Sequence, residues 1–259
     1  MSVGLGTASG VAKNLWPSWE AISLSNLIHN YTDNLIWSLF LTSTAIHAIL
    51  LITSPVQALF KWYRRQSSDG DTPIPYLCAV LGSLLWFRYS IFINDLKLIL
   101  LQGYAVFMQT FFLLALLYYR KKKHRLLRLI LAIFVIVAAL FIIIYHLPPD
   151  LGREITGICA SAAQIIGSFV CPYLIYKAIS RKFIDFIPFA PVAFTWIMEI
   201  HAIIYSIAIN DIYLMIANSV FFTMDSLLLS MFFIYPTERK ENKQKYKLLK
   251  VKNYLTRYI

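Results

Sequence analysis

Two acidic residues, Glu199 and Asp225, lie inside long apolar stretches of the sequence. An acid within the hydrocarbon of a membrane costs about 2.5–3.5 kcal/mol on insertion scales, so both must face protein or water. Such residues often serve in a pocket or bind a proton, and a protonated, structural role is the alternative for each. His47 and His201 have no companion at metal-ligand spacing, and no CxxC pair is present. The sequence therefore predicts no metal site.

One short segment occurs twice. YSIFIND (89–95) returns as YSIAIND (205–211), with six of the seven residues identical. An Asp before an apolar run is an ordinary helix N-cap. Capping does not explain why a Tyr precedes that Asp by six residues in both copies.

The composition indicates a membrane protein that crosses the bilayer several times. The 259 residues are 59% hydrophobic and only 14% charged, whereas a soluble domain has about 25% charged residues. Apolar runs of about 18 residues or more predict membrane helices. Seven such spans are predicted, at 35–60, 74–93, 96–118, 128–147, 154–178, 186–209 and 212–235.

Basic residues predict the orientation of these spans. Most of the 24 Lys and Arg residues fall on one side, and loops rich in Lys and Arg are typical of the cytosolic face. The net charge of +11 thus indicates membrane orientation and not a nucleic-acid partner. The N-terminus is expected outside and the C-terminus in the cytosol, with the basic segments at 61–65, 120–128, 177–182 and 239–257.

The repeat extends well beyond seven residues. At the same spacing of 116, Gln102 pairs with Asn218, and at 117 Pro55 pairs with Pro172. Spans 1–3 thus correspond to spans 5–7, and span 4 restores the orientation of the second copy, so the repeats are expected to be parallel, as in some transporters. The predicted fold class is an all-α membrane protein of seven transmembrane helices in a 3+1+3 arrangement. Its parts are an extracellular N-terminus at 1–34, a first repeat at 35–119, a linker helix at 120–149, a second repeat at 150–236 and a basic cytosolic tail at 237–259.

Several motifs occupy corresponding places in the two copies. The first copy contains SPVQALFKW (54–62) and PYLCAVLGSLLWFRY (75–89), and the second contains CPYLIYKAISRKFIDFIPF (171–189). In each copy a Tyr, an Asp and then an amide residue follow. Over about residues 40–236 the chain resembles the SWEET family of sugar transporters, as a divergent, animal-like member.

The resemblance implies a facilitator with no cofactor and no enzymatic activity. It also implies a sugar pocket in which aromatic faces stack on the sugar and amides bind its hydroxyl groups. Transferred by position, the substrate-binding residues are Trp86, Gln102, Ala202 and Asn218. Further lining positions are Leu51, Gly82, Ser168 and Met198.

Two more sets of residues take roles from the resemblance. The implied outer gate consists of Tyr89, Asp95, Tyr205 and Asp211. The implied hinges near the cytosolic mouth are Pro55, Pro75, Pro172 and Pro188. Proline inside a helix removes a backbone hydrogen bond and kinks it, whereas proline in the first turn is ordinary, as it is for Pro75 and Pro188.

The chain departs from the family pattern at the pocket and beside the gate. Gln102 stands where the family has Asn, and Ala202 where it has Trp, which leaves one stacking platform. Ser90 and Ser206 replace the glycine that follows each Tyr. These changes put the substrate in question, because the volume freed at Ala202 suits a larger or differently shaped ligand.

The expected function is bidirectional, facilitative transport of a mono- or disaccharide, glucose-like by default, by alternating access. The alternatives are a proton-coupled small-solute transporter of the related PQ-loop type, a seven-helix receptor and a transport-inactive interaction protein. The expected partners are the sugar and the lipid bilayer, with no nucleic acid, and homo-oligomerisation is left open. The expected location is the plasma membrane, with an internal membrane as the alternative.

Overall fold

The computed structural model describes residues 31–184, 187 and 189–236. Pro188, most of the predicted extracellular segment and the basic tail lie outside the described residues. Within the described part the regular structure is helical. The helices are α1 Leu35–Thr53, α2 Val56–Arg65, α3 Ile74–Phe92, α4 Leu96–Tyr118, α5 Lys123–Tyr145, α6 Pro149–Ser168, α7 Val170–Arg181, α8 Phe189–Ala208 and α9 Ile212–Ile234.

Seven segments of the described chain are long and apolar enough to cross a membrane, in agreement with the predicted number. Helices α1 and α2 together form the first, Leu35–Arg65, and α6 and α7 together form the fifth, Pro149–Arg181. The other five segments are single helices. About 20 residues at 1.5 Å each are needed to span the hydrocarbon, so both composite spans have length to spare for a break.

The start of the fifth span differs from the prediction of residue 154. Helix α6 begins at Pro149, because proline suits the first turn of a helix, and the Pro148 carbonyl accepts from the Gly152 N–H at 2.9 Å. Gly152 lies within this helix, and because it has no Cβ the Phe92 ring can pack close to it, only 3.1 Å from where a Cβ would lie. The gap between the fourth and fifth spans is therefore 146–148, and not 148–153 as the predicted spans implied.

The fourth span also begins earlier than the predicted residue 128. Helix α5 starts at Lys123, within the basic segment that was expected to lie wholly outside the membrane. The Lys123 ammonium lies 5.7 Å from the centre of the Tyr118 ring. Long basic side chains keep their charge at the interface while their stems lie along apolar surface, which lets a helix begin among them.

The described residues divide into two compact units, with the boundary between residues 163 and 164. In the first unit a buried apolar cluster joins α2, α3, α4 and α5. It contains Trp62, Leu77, Leu113, Leu116 and Leu126. The second unit contains α7, α8 and α9, and α8 and α9 pack along their length. The repeat boundaries predicted above stay a prediction.

The backbone itself repeats at the spacing found in the sequence. Four described non-glycine residues have positive φ, namely Gln66 at 52°, Asn94 at 53°, Lys182 at 57° and Asn210 at 55°. They form two pairs, and each pair is 116 residues apart. Positive φ is uncommon outside glycine. The coincidence therefore indicates that α2 and α7 end in the same way, and that the turns after α3 and α8 have the same backbone conformation.

A polar loop closes one end of the first unit. The Asp71 carboxylate, between α2 and α3, accepts from Lys61 Nζ at 2.8 Å and from the Trp62 indole N–H at 2.7 Å. Arg120 donates to the carbonyls of Ser68 and Asp71, both at 2.7 Å. Lys61, Trp62, Asp71 and Arg120 are called the loop clamp here, and it holds the loop against the ends of α2 and α4.

Candidate functional site

The two predicted gate segments form turns with the same internal hydrogen bonds. In the first, Ile93 N–H donates to the Tyr89 carbonyl at 3.1 Å, and Asp95 N–H donates to the Ser90 carbonyl at 3.3 Å. In the second, Ile209 donates to Tyr205 at 3.0 Å and Asp211 donates to Ser206 at 2.9 Å. The repeated sequence therefore encodes one local structure twice, a helix end followed by a turn with an Asn at positive φ.

Both aspartates of these turns are helix N-caps. Asp95 Oδ1 accepts from the backbone N–H groups of Lys97 and Leu98, at 3.0 and 3.2 Å. Asp211 Oδ1 accepts from the Leu214 N–H at 2.9 Å. Each carboxylate thereby satisfies N–H groups that the first turn leaves without a helical partner. Capping is confirmed, and the gate role stays a prediction.

The serines that replace the family glycine are buried and turned back on their own helices. Ser90 Oγ donates to the Phe87 carbonyl, and Ser206 Oγ donates to the Ile203 carbonyl, each at 2.7 Å. A serine hydroxyl bonded in this way needs no external partner. Their presence therefore leaves the helices continuous up to the turn.

Trp86 and Tyr89 are buried in the first unit, one helical turn apart on α3. Their ring centres are 5.6 Å apart with the planes at 79°, an edge-to-face pair. This contact orients the Trp86 indole, because edge-to-face packing is a preferred aromatic geometry. At the position related to Trp86 in the second unit, Ala202 is half-buried on α8.

Asn218 is held by a partner that sequence reasoning missed. Only 8% of Asn218 is exposed on α9, and its Oδ1 accepts from Gln164 Nε2 at 3.0 Å. Its Nδ2 donates to the Leu214 carbonyl at 2.8 Å. The sequence did contain a signal for this contact, because a glutamine inside an apolar helix needs a polar partner. Gln164 was outside the motifs compared and therefore went unnoticed.

The other predicted pocket positions of the first unit are partly exposed. Gln102 lies on α4 and Leu51 near the end of α1, both half-buried. Gly82 lies within α3, and a Cβ placed there would meet no heavy atom within 4 Å. Glycine inside a helix costs about 1 kcal/mol relative to alanine, and here it leaves free space beside the helix.

In the second unit, Ser168 and Met198 differ in their surroundings. Ser168 is fully buried at the end of α6, and its hydroxyl donates to the Ile165 carbonyl at 2.7 Å. Met198 is half-buried on α8. Ser168 thus lies at the helix break, and its lining role stays a prediction.

Two of the predicted hinge prolines lie at breaks in the first and fifth spans. Pro55 separates α1 from α2. Proline has no N–H to donate to the Leu51 carbonyl four residues earlier, and the Ser54 hydroxyl donates to that carbonyl at 2.7 Å instead. Pro172 lies in the first turn of α7, just after the break at Phe169. Pro75 likewise lies in the first turn of α3. The interruptions are present, and hinge motion stays a prediction.

The two intramembrane acids and a cysteine belong to one cluster in the second unit. Glu199 lies on α8, Asp225 on α9 and Cys171 on α7, and all three are buried. Cys171 Sγ donates to Asp225 Oδ1 at 3.3 Å. Cys171 is therefore part of a polar cluster, whereas a buried thiol usually behaves as a small hydrophobe.

Comparison with known proteins gives a consistent result. The family described as "Sugar efflux transporter for intercellular exchange" matches twice, at residues 38–124 and 155–240. These matches begin 117 and end 116 residues apart, as the internal repeat predicts. The chain is 24% identical to the bidirectional sugar transporter SWEET12 of Oryza sativa subsp. japonica, over 76% of this chain and 67% of the relative.

An animal relative and a solved structure also resemble the chain. The sugar transporter SWEET1 of Drosophila pseudoobscura pseudoobscura is 24% identical over 82% of this chain and 95% of the relative. A eukaryotic SWEET transporter solved at 3.7 Å resolution matches with a TM-score of 0.69 at 18% identity, over 75% of this chain and 94% of that one. This likeness supports the predicted 3+1+3 helical fold of an integral membrane protein. Since the family matches more than half of the 259 residues, the chain belongs to the family of sugar efflux transporters for intercellular exchange.

Proposed function

We propose that this protein carries sugars across a membrane in either direction, down their gradient, by alternating access. The observation that carries the proposal is the double match of a sugar-transporter family, one match for each three-helix repeat. Of the two relatives described above, one is named a bidirectional sugar transporter and the other a sugar transporter. A repeat pair with a site near the midplane is the usual architecture for opening that site to each side in turn.

In this proposal Trp86 and Gln102 of one repeat and Asn218 of the other form the sugar pocket. Trp86 offers an aromatic face to the apolar face of the sugar ring, in an orientation supported by Tyr89. The Asn218 amide is held between Gln164 and Leu214, so its position is set before substrate arrives. Preorganised groups bind more tightly because less freedom is lost on binding.

The remaining positions determine the size and shape of the proposed sugar pocket. Ala202 presents a methyl group where the family has an indole, and Gly82 has free space beside it. The proposed pocket therefore has one stacking platform and added volume. Further lining positions of the proposed pocket are Leu51, Ser168 and Met198.

The proposed cycle uses gates at the two ends of the repeats. Tyr89, Asp95, Tyr205 and Asp211 close the outer mouth while also ending and capping helices. The breaks at Pro55 and Pro172 let the inner halves of the first and fifth spans bend. Pro75 and Pro188 are assigned to the same inner gate.

The membrane and orientation complete the proposal. We assign the protein to the plasma membrane, with the N-terminus outside and the C-terminus in the cytosol, because loops rich in Lys and Arg stay on the cytosolic side. One chain supplies both repeats and thus one complete pathway, without a cofactor and without covalent chemistry.

Uptake of labelled sugars tests the proposal. The purified protein is reconstituted in liposomes and assayed with labelled glucose, other hexoses and sucrose, beside the Asn218→Ala variant. We expect saturable entry and efflux of at least one sugar, reduced about tenfold or more in the variant, because the pocket loses its amide and the half-buried Gln164 amide loses its acceptor. If no sugar moves, the function is wrong, and if the variant transports normally, the pocket assignment is wrong.

The proton-coupled alternative is not favoured, since the relatives that the chain resembles are named sugar transporters. A pH gradient imposed across the same liposomes separates the two mechanisms. A facilitator brings the sugar only to equal concentration on both sides. Accumulation driven by the gradient would establish coupling and contradict the proposal.

A further inference from the structure

Glu199 is an unusual side chain in this membrane region. Only 5% of it is exposed, and within the described residues both carboxyl oxygens are buried without a hydrogen-bond partner. An ionised carboxylate in such a place is costly, because it has lost water and gained nothing in exchange. A neutral carboxylic acid is much less costly there.

The groups that face Glu199 do not supply a positive charge. Asp225 on α9, 6% exposed, lies within electrostatic range of Glu199, and so does Cys171 on α7, 4% exposed. Asp225 already accepts from the Cys171 thiol at 3.3 Å. No Lys, Arg or His of the described chain forms an ion pair with either acid. Two acids placed together without a cation resist ionisation of both at once, because like charges at short range repel.

The fold does not require acids at these positions. At the spacings of the internal repeat, Cys171 corresponds to Ser54, Glu199 to Ser83 and Asp225 to Gln109. All three counterparts are neutral. The Ser83 hydroxyl donates to the Val80 carbonyl at 3.1 Å within its own helix. The same bundle is therefore built once with neutral groups and once with ionisable ones.

The cluster lies close to parts that the proposed transport cycle uses. Asp225 follows Asn218 by seven residues, which is two turns along the same face of α9. Cys171 precedes Pro172, next to the break between α6 and α7. A change of charge in the cluster would thus act on the helix that carries the pocket amide and on the proposed hinge.

We propose that Glu199, Asp225 and Cys171 form a proton-binding site inside the second repeat. Glu199 holds the proton as a neutral acid while α7, α8 and α9 are packed as described. When the repeat opens and water reaches the cluster, the O–H bond of the acid breaks and the proton passes to water or to a buffer base, leaving a carboxylate. No electron transfer and no other ligand is involved. The site modulates a facilitator and does not couple it to a proton gradient.

Infrared spectroscopy tests the bound proton directly. The full-length protein in lipid nanodiscs is measured at neutral pH in H₂O and in D₂O, as wild type, Glu199→Gln and Glu154→Gln. We expect a carboxylic-acid carbonyl band that shifts in D₂O and disappears in Glu199→Gln. It should persist in Glu154→Gln, which alters an exposed glutamate of α6 in the same way.

Asp225→Asn provides a second variant if Glu199→Gln does not fold. Its expected result is a retained band at a changed frequency, because the neighbour of the protonated acid has changed. The proposal is wrong if wild type and Glu199→Gln give the same spectrum in this region. It is also wrong if Asp225→Asn leaves the band unaltered in both position and size.

The effect on transport rests on the proposed function and has its own readout. Sugar exchange in liposomes, at equal pH on both sides, should change by roughly threefold to tenfold between mildly acidic and mildly alkaline buffer, since one proton contributes up to tenfold per pH unit. The profile should be flat in Glu199→Gln and unchanged in Glu154→Gln. Equal profiles in wild type and Glu199→Gln would refute the link to transport. If wild type moves no sugar, the proposed function fails, and the infrared result still decides the proton site.

Discussion

The two three-helix repeats agree at the turns that follow α3 and α8 and differ deeper in their helices. Each of these turns has a Tyr, a Ser folded back on its helix, an Asn at positive φ and an Asp that caps the next helix. Deeper in the bundle, the first repeat has Trp86 where the second has Ala202, and it has neutral groups where the second has Glu199 and Asp225.

A second difference lies at the opposite end. The first repeat carries the loop clamp, in which Asp71 joins Lys61 and Trp62. At the spacing of 116, the residue that corresponds to Asp71 is Ile187, an apolar residue. This contrast indicates that backbone geometry constrains the residues of the matching turns, whereas residues inside the helical bundles and in the other loops can differ between the repeats.

The largest expected effect concerns the single aromatic platform. Trp86→Ala should reduce sugar uptake about tenfold or more, because it removes the stacking face and leaves a cavity beside Tyr89. Trp37→Ala, a change of the same size on α1, is the matched control and should leave uptake within about twofold. Uptake in liposomes, with thermal unfolding to confirm folding, checks the prediction.

The converse substitution sharpens the comparison between the repeats. Ala202→Trp restores the second platform of the family pattern and should shift preference towards smaller sugars by filling volume. If Trp86→Ala and Trp37→Ala have equal effects on uptake, the asymmetric pocket is wrong.

The next effect concerns the support of Asn218. Gln164→Leu keeps the shape but leaves the Asn218 carbonyl without its donor, at a cost of about 1–3 kcal/mol. We expect uptake to fall roughly fivefold, seen as a higher KM for the sugar. His47→Leu alters the corresponding position of the first repeat and should change KM less. If His47→Leu raised KM more than Gln164→Leu does, the first repeat would contribute more to holding the substrate than the second.

A smaller effect is expected at the loop clamp. Asp71→Asn removes the charge that meets Lys61 and should lower the free energy of unfolding by about 1 kcal/mol, because the pair is partly solvated. Thermal unfolding of the purified protein measures the change. Asp69→Asn, in the same loop, is the control and should have less effect, since Arg120 lies 3.7 Å from Asp69.

The clamp also predicts a dependence on pH. The hydrogen bond from Lys61 is the main cause that holds the pKa of Asp71 below its usual 3.8, with the Trp62 hydrogen bond and the Lys61 charge adding to it and burial opposing it. A lowered pKa in the fold means that the stabilisation is complete above the unfolded value and is lost as pH falls through the folded one. The Tm difference between wild type and Asp71→Asn should therefore shrink in acid below about pH 4. A difference that is constant with pH would contradict this.

An effect of about the same size as at the loop clamp should be equal in the two repeats. Asn94→Ala and Asn210→Ala each place a less tolerant residue at positive φ and should cost about 1 kcal/mol or somewhat more. Glycine at the same positions should restore the stability. Thermal unfolding measures all four variants, and unequal losses at the two alanines would show that the turns after α3 and α8 are not equivalent.

Much of the fold could be predicted because it depends on local signals. Apolar runs and prolines predicted seven spans, and the repeated heptapeptide predicted two matching turns with Asp caps. The starts of the fourth and fifth spans were predicted too far along the chain. Helix α5 begins at Lys123, whose charge stays at the interface, and α6 includes Gly152, where the absence of a Cβ lets the Phe92 ring pack close.

The sequence by itself determined the membrane class, the internal repeat, the family and the positions to compare, since each depends on residue type and spacing. Only the tertiary structure decided which side chains meet. Gln164 and Asn218 are 54 residues apart, as are Cys171 and Asp225, and these contacts arise from the packing of helices that are distant in sequence. The environment of Glu199 was decided in the same way, because a missing hydrogen-bond partner is a property of everything around a side chain and cannot be read from its neighbours along the chain.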